Sequence, residues 1–152
     1  MCNHCNCREY PSIAELSREH EEILALAVPL AETTRTGGAG DPDGVRRLLE
    51  LLQLHSAKEE AGLYPLLIAE MGETPDAFDH LEDEHVEVLA AIRSGTFDHL
   101  ALYALQRHIE EEEEVLFSGA LFHFDGATWD DLDAAHQRVR VEAATTLTAT
   151  VP

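Results

Sequence analysis

The sequence predicts an all-α protein: an antiparallel up-down four-helix bundle with an additional C-terminal helix. Three observations carry this expectation. Apolar residues recur at three- and four-residue intervals through four long stretches, the period of a helix with one buried face. Glycine and proline punctuate the chain between those stretches. No segment alternates apolar and polar residues in the manner of a half-buried strand. Short connections between long helices favour antiparallel neighbours. The 152 residues suffice for one domain with a sizeable core.

The order of elements follows from local signals. Residues 1–11 form a Cys-rich leader closed by Pro11, and residues 12–150 form the helical domain. Helix A is expected from Ser12, with Glu15 completing a capping box. Its inward stripe is Ile13, Leu16, His20, Ile23, Leu24 and Ala27, and Pro29 bends its last turns. Thr33 to Gly40 reads as a loop. Helix B begins near Asp41 with Pro42 at its first position, is distorted by Pro65 and ends at Gly72. Helix C starts at Thr74-Pro75 and closes at Gly95, with Phe78, Leu81, His85, Leu89 and Ile92 facing inward. Helix D starts between Thr96 and Asp98 and reaches about Phe122. After the Asp125-Gly126 turn, Thr128 caps a fifth helix running from Trp129 to about Thr148. Trp129 anchors that helix by apolar burial.

The chain carries 30 acidic and 10 basic residues, a formal net charge of -20. Such a surface disfavours nucleic acid and anionic membranes as partners. No apolar stretch has the length of a transmembrane helix, and the N-terminus lacks the pattern of a secretory signal. Three close cysteines, an odd number, do not make a disulfide framework. A cytoplasmic protein with reduced thiols is the expectation.

Chemistry concentrates in two units, His55-Ser56-Ala57-Lys58-Glu59 and His108-Ile109-Glu110-Glu111-Glu112. In each, a His and a Glu four residues apart share a helix face. Leu48, Leu51 and Leu52 place His55 on the apolar face, and Ala101, Ala104 and Leu105 do the same for His108. An imidazole and a carboxylate in an apolar core are costly unless something satisfies them. His20 lies about 17 residues before the first turn and His55 about 18 after it, which at ~1.5 Å per residue puts them at one level. The same count around the next two turns brings Glu59, His85 and His108 to that level. The chain also repeats weakly. Glu19-His20-Glu21-Glu22-Ile23-Leu24-Ala25 is echoed by Glu84-His85-Val86-Glu87-Val88-Leu89-Ala90. Each half thus offers one His from its first helix and a His plus a Glu from its second. Four imidazoles and two carboxylates suit two metal ions of the Fe, Mn or Zn type, with Glu59 and Glu112 placed to bridge them.

This arrangement, a His on helix A, H-x-x-x-E on B, a His on C and H-x-x-x-E on D, resembles the hemerythrin-like (His-His-Glu cation-binding) domain family over roughly residues 12–122. The resemblance implies a non-haem di-iron centre, bridged by the two glutamates and an oxo or hydroxo group. Its iron ligands would be His20, His55, Glu59, His85, His108 and Glu112. The chain departs from the family's oxygen carriers on the third helix, where Leu81 stands four residues before His85 in place of a fifth His. His80 lies about 100° round the helix from that position. One iron should then be more open, or filled by water or another side chain. Reversible O2 carriage becomes less plausible than sensing, peroxide or NO chemistry, or iron binding.

Several residues outside the six are candidates for supporting roles. Glu60 and Glu113 suit acceptors of the outer N–H of a metal-bound imidazole. Tyr64 and Phe117 hold equivalent positions after the two H-x-x-x-E units and pack the core. Tyr64 alone also offers a hydroxyl to a bound oxygen species. Within Glu110 to Glu114, Glu112 alone is expected inward, the rest forming a solvated face. His80, His99, His123 and His136 read as surface or packing residues. Cys2, His4, Cys5 and Cys7 form a second metal site for Zn or Fe, or a redox partner of the centre, or a reduced leader without metal. The function expected is that of a di-iron protein that binds or reacts with O2, NO or peroxide, in sensing, carriage or redox defence. A redox partner protein would fit this. The alternatives are a di-iron oxidoreductase of peroxide or NO, and iron or cation sequestration. The sequence leaves open whether the protein is an enzyme.

Overall fold

A computed structural model describes residues 9–149, with side chains through residue 146. The Cys2, His4, Cys5 and Cys7 group lies outside the described residues. The protein is all-helical, with no strand among the described residues. Five helical rods follow one another. The first is α1 (Pro11–Arg35). The second is α2 (Pro42–Lys58), which passes through a π-helical turn (Glu59–Leu63) into α3 (Tyr64–Met71). The third is α4 (Asp79–Ser94). The fourth is α5 (His99–Glu111), with a π-helical turn (Glu112–Leu116) leading into α6 (Phe117–His123). The last is α7 (Gly126–Ala149).

Helix ends follow their local chemistry, with some differences from expectation. Asp41 caps α2 by accepting the Gly44 N–H at 2.9 Å. Asp98 caps α5 by accepting the N–H groups of Leu100 and Ala101. Gly95 ends α4 with φ 70°, a conformation that favours glycine. The Ser12–Glu15 capping box does not form. Pro11 occupies the first helical position, Ser12 hydrogen-bonds Asp133 of α7, and Glu15 turns to Lys58, His136 and Arg140. Helix α1 runs on to Arg35, because Arg35 pairs with Glu32 and the Thr36 backbone N–H still reaches carbonyls of the last turn. Helix α4 begins at Asp79 rather than Thr74, since Thr74 and Asp76 close separate turns onto Ala77 and Asp79. Asp125, not Thr128, caps α7. Its carboxylate accepts the Thr128 N–H at 2.9 Å, while the Thr128 hydroxyl donates to it and to Glu70.

Pro65 is not what the two π turns share. In each, an N–H reaches back five residues, Tyr64 to the Glu59 carbonyl and Phe117 to the Glu112 carbonyl. Only the first is followed by proline; Ser118 follows Phe117. What they share is an inward glutamate opening the turn. The extra residue keeps the side chain five positions on, Tyr64 or Phe117, on the buried face.

Packing places α1 against α2 and α5, and α4 against α2 and α5, which closes a ring of four rods. Two apolar clusters fill it. One contains Ile13, Leu16, Leu63, Leu67, Leu81 and Leu116. The other contains Ile23, Ala27, Leu48, Leu52, Val88 and Leu105. Along α1 and α4 the first cluster precedes the second; along the other two rods the order reverses. On every rod the candidate ligands fall between them.

The fifth rod lies against α1, α2 and the first π turn. Its N-terminal end is tied to the start of α1 by Trp129 stacked on Tyr10, with ring centroids 3.9 Å apart. Close approach occurs at Gly62, where a Cβ would lie 3.0 Å from Leu132, 3.1 Å from Ala135 and 3.6 Å from His136. Gly62→Val should therefore push α7 away and destabilise the chain by about 1–3 kcal/mol, the usual range for overpacking. Urea unfolding would read the loss, and limited proteolysis would show α7 cut earlier than in the wild type.

Candidate metal centre

Between the two apolar clusters the six candidate side chains converge, all of them buried. His20, His55, Glu59 and Glu112 offer ligand atoms within 4.8 Å of one another, and so do Glu59, His85, His108 and Glu112. Both carboxylates belong to both groups, and the imidazoles divide two and two. His20 and His55 meet with ring centroids 4.6 Å apart, as do His85 and His108. Both positions are equally supplied with donors.

The orientation of the rings decides the chemistry. Each imidazole directs Nδ1 outward to a carboxylate. His20 Nδ1 lies 3.1 Å from Glu113, His55 Nδ1 3.0 Å from Glu19, His85 Nδ1 2.9 Å from Glu60 and His108 Nδ1 2.7 Å from Glu84. With Nδ1–H donated, every Nε2 is left with its lone pair turned inward. There Nε2 of His20 is 3.1 Å from Glu112 Oε2, and Nε2 of His55 is 3.3 Å from Glu59 Oε2. The Nε2 atoms of His85 and His108 face each other at 3.0 Å.

Five buried side-chain atoms among the described residues make no hydrogen bond. They are His20 Nε2, both oxygens of Glu59, Glu112 Oε2 and His136 Nε2, so four of the five lie in this cluster. Leaving such atoms unsatisfied is costly. Around the four imidazoles stand two inner and four outer carboxylates, against the one buried ammonium of Lys58. Nitrogen and oxygen lone pairs aimed at a common point, in excess negative charge, fit a metal-binding site.

Without cations, protons take their place. Burial disfavours a charged imidazole, but Glu112 and Glu113 outweigh it at His20 and hold its pKa up at about 10. Glu59 and Glu60 do the same for His85, again to about 10. His108 moves in the same direction, where Glu112 outweighs burial. Glu112, which burial alone would push up, is held well below the usual carboxylate range by His108 and His20. The Tyr64 phenol is pushed up by burial and by the Glu59 and Glu112 charges, so it keeps its proton. Its hydroxyl donates to Glu112 Oε1 at 2.6 Å. Phe117, its counterpart, stacks on His20 at 5.7 Å.

The sequence-predicted residues therefore divide clearly. Glu60 and Glu113 stand behind His85 and His20, and Glu113 is buried rather than part of a solvated face. Glu19 and Glu84 were not foreseen in this role, although the repeated Glu-His dipeptide was the available signal. Each serves the imidazole of the neighbouring rod, not the one beside it in sequence. Lys58 was also missed; it bridges Glu15 at 2.9 Å and Glu19. His136 is fully buried, with Nδ1 on Glu15 at 3.0 Å, and stands outside both ligand groups. His80 is exposed beside Glu111, and His99 and His123 are exposed.

The sequence model of the hemerythrin HHE cation-binding domain matches residues 11–117. The chain belongs to that family. No curated protein and no solved structure matches it significantly. The hemerythrin-family match takes in all six converging residues and ends before α7.

Raised imidazole pKa values have a definite sign. In the metal-free chain, the stability that His20 and His85 contribute is complete below about pH 6.5, the ordinary value, and is lost as pH rises through about 10. Thermal unfolding of the chelator-treated protein should show this decline. Metal uptake near pH 7 should release about two protons per chain, those of His20 and His85, measurable with an indicator dye. Affinity should fall as the pH is lowered.

Proposed function

We propose that this hemerythrin-family chain is an up-down four-helix bundle, with α7 as an added fifth helix, and that it is a non-haem di-iron protein that binds or reacts with O2, NO or peroxide. His20 and His55 would hold one ion, His85 and His108 the other, and Glu59 and Glu112 would be shared between them. The observation that carries this reading is the set of four Nε2 atoms turned onto two shared carboxylates, three of whose four oxygens make no hydrogen bond. Imidazole with carboxylate suits iron among the common metals.

The surroundings support a small reactant. A cavity of about 10 Å³ lies against all four imidazoles, walled by Ile23, Leu52, Val88, Leu105 and Ile109. That is room for about one water-sized molecule. Two iron ions, when bound, supply one-electron redox steps and coordination positions that the protein leaves open. The chain's own residues do the rest. Glu19, Glu60, Glu84 and Glu113 fix the rings, the apolar wall keeps the site dry, and Tyr64 Oη holds a proton at Glu112 Oε1. That proton favours a second reading, an oxidoreductase of peroxide or NO at the same ions. A reducing cytoplasmic setting suits the close cysteines, and a redox partner protein would supply electrons. The charge of -20 argues against nucleic acid and membrane surfaces as partners. Among the described residues, no helix is long and apolar enough to cross a membrane.

Metal analysis of the purified chain should give two irons. Anaerobic reduction followed by O2, NO or peroxide, watched by visible absorption, then separates the functions. A stable reversible band indicates binding for sensing or carriage, and rapid irreversible oxidation with peroxide turnover indicates the oxidoreductase. Loss of metal on mild dialysis indicates sequestration, and a chain that takes up no iron overturns the di-iron reading. Tyr64→Phe should keep both irons and lose about 1–2 kcal/mol of stability, the cost of one buried hydrogen bond, while slowing peroxide turnover if the oxidoreductase reading holds.

A further inference from the structure

The chain contains a single lysine, Lys58, and it is 1 % exposed. Every other cationic side chain of the sequence is an arginine, apart from the histidines. A buried ammonium is costly unless paired, and Lys58 is paired twice, with Glu15 at 2.9 Å and with Glu19. Glu19 is the carboxylate that holds His55 Nδ1. One oxygen of Glu19 thus faces the ammonium and the other faces the imidazole.

The internal repeat shows what the second half has instead. If His20 corresponds to His85 and His55 to His108, then Glu19 corresponds to Glu84, Glu15 to His80 and Lys58 to Glu111. Glu84 does hold His108 Nδ1. The Glu15–Lys58 pair is replaced by His80–Glu111, in contact at 3.0 Å with the acidic partner on the opposite rod. Their side chains are 52 % and 42 % exposed, and Glu84 is 44 % exposed. The difference follows from α7, which packs on α1 and α2 and supplies His136 and Arg140 to Glu15. In the first half the same positions are therefore covered, and a buried cation can act at short range in a low dielectric.

We propose that Lys58 is a positioning residue that acts through Glu19 on His55 and makes the His20/His55 half of the centre electronically distinct from the His85/His108 half. This rests on the di-iron reading for its electronic part and on the apo geometry for its positioning part. An anionic carboxylate on Nδ1–H makes an imidazole a stronger donor and favours the more oxidised metal. Lys58 draws on the Glu19 charge and weakens that push at His55. Glu84 shares its charge with water, not with a fixed ammonium. The two ions then differ in reduction potential although their ligand sets are alike.

In the iron-loaded full chain, Lys58→Met should lower the equilibrium constant for one of the two reduction steps at least tenfold, about 59 mV for one electron, with two irons retained. With Glu19→Gln already in place, removing Lys58 should move that step no further. In the metal-free chain, Lys58→Met should shift the ring nitrogen signals of His55 in 15N spectra and leave those of His108 in place. Unchanged His55 signals and an unchanged potential in a folded Lys58→Met variant would overturn the proposal. So would an equal potential shift with and without Glu19→Gln, since Lys58 would then act on the iron directly. Should Lys58→Met alone fail to fold, the comparison of Glu19→Gln with Lys58→Met/Glu19→Gln decides: equal His55 signals support the relay, and unequal ones overturn it. A wild-type chain that binds no iron would refute the di-iron reading, and the metal-free spectra would still decide the role of Lys58.

Discussion

The structure turns on a ring of four carboxylate–imidazole hydrogen bonds. Glu19 of α1 holds His55 of α2, Glu60 beyond α2 holds His85 of α4, Glu84 of α4 holds His108 of α5, and Glu113 beyond α5 holds His20 of α1. Each rod orients the imidazole of the next, and the cycle closes. The ring sets which nitrogen of every histidine faces inward, so that it is Nε2 that meets Glu59 and Glu112 and can offer them a proton or a cation a lone pair. It also makes the relative height of the four rods a chemical matter, because a shift of one rod along its axis would break two of the four bonds. Apolar packing is tolerant of such shifts; a hydrogen bond of 2.7–3.1 Å is not.

Much of this was legible before any coordinates. Helical periodicity and glycine punctuation located the rods, and counting residues from the turns brought His20, His55, His85 and His108 to one level. What escaped was whatever depends on a neighbour from another rod. The capping box at Ser12 and Glu15 satisfies a local rule, yet α7 offered both residues better partners. The π turns are invisible to a pattern that assumes a uniform 3.6-residue period, and each shifts the buried face by one residue beyond its glutamate. Glu19 and Glu84 sit beside His20 and His85 in sequence but reach the imidazoles of the next rods, because i and i+1 point to different faces. Lys58 lies inside the best motif of the chain, and nothing in that motif marks it as buried. Only burial by α7 reveals it.

The two halves repeat each other in candidate ligands and in the carboxylates behind them, but not in what surrounds those. Tyr64 stands where the second half has Phe117, and Lys58 where it has Glu111. The first puts a hydroxyl, and the second a cation in place of an anion, on the repeat against which α7 lies. The hemerythrin-family match stops at residue 117, short of α7, so the helix that breaks the symmetry is also the one that the shared domain does not include. Near-identical donor sets can thus be told apart by groups one bond further out.

The division of the interior into two apolar clusters has a mechanical consequence. On each of the four rods the polar layer interrupts the hydrocarbon midway, so neither cluster extends through the molecule. The charged girdle between them would be a natural fracture plane if its carboxylates were left to repel one another. Cations seated there would act as rivets, strengthening the cross-section of the barrel of rods that apolar packing leaves thinnest.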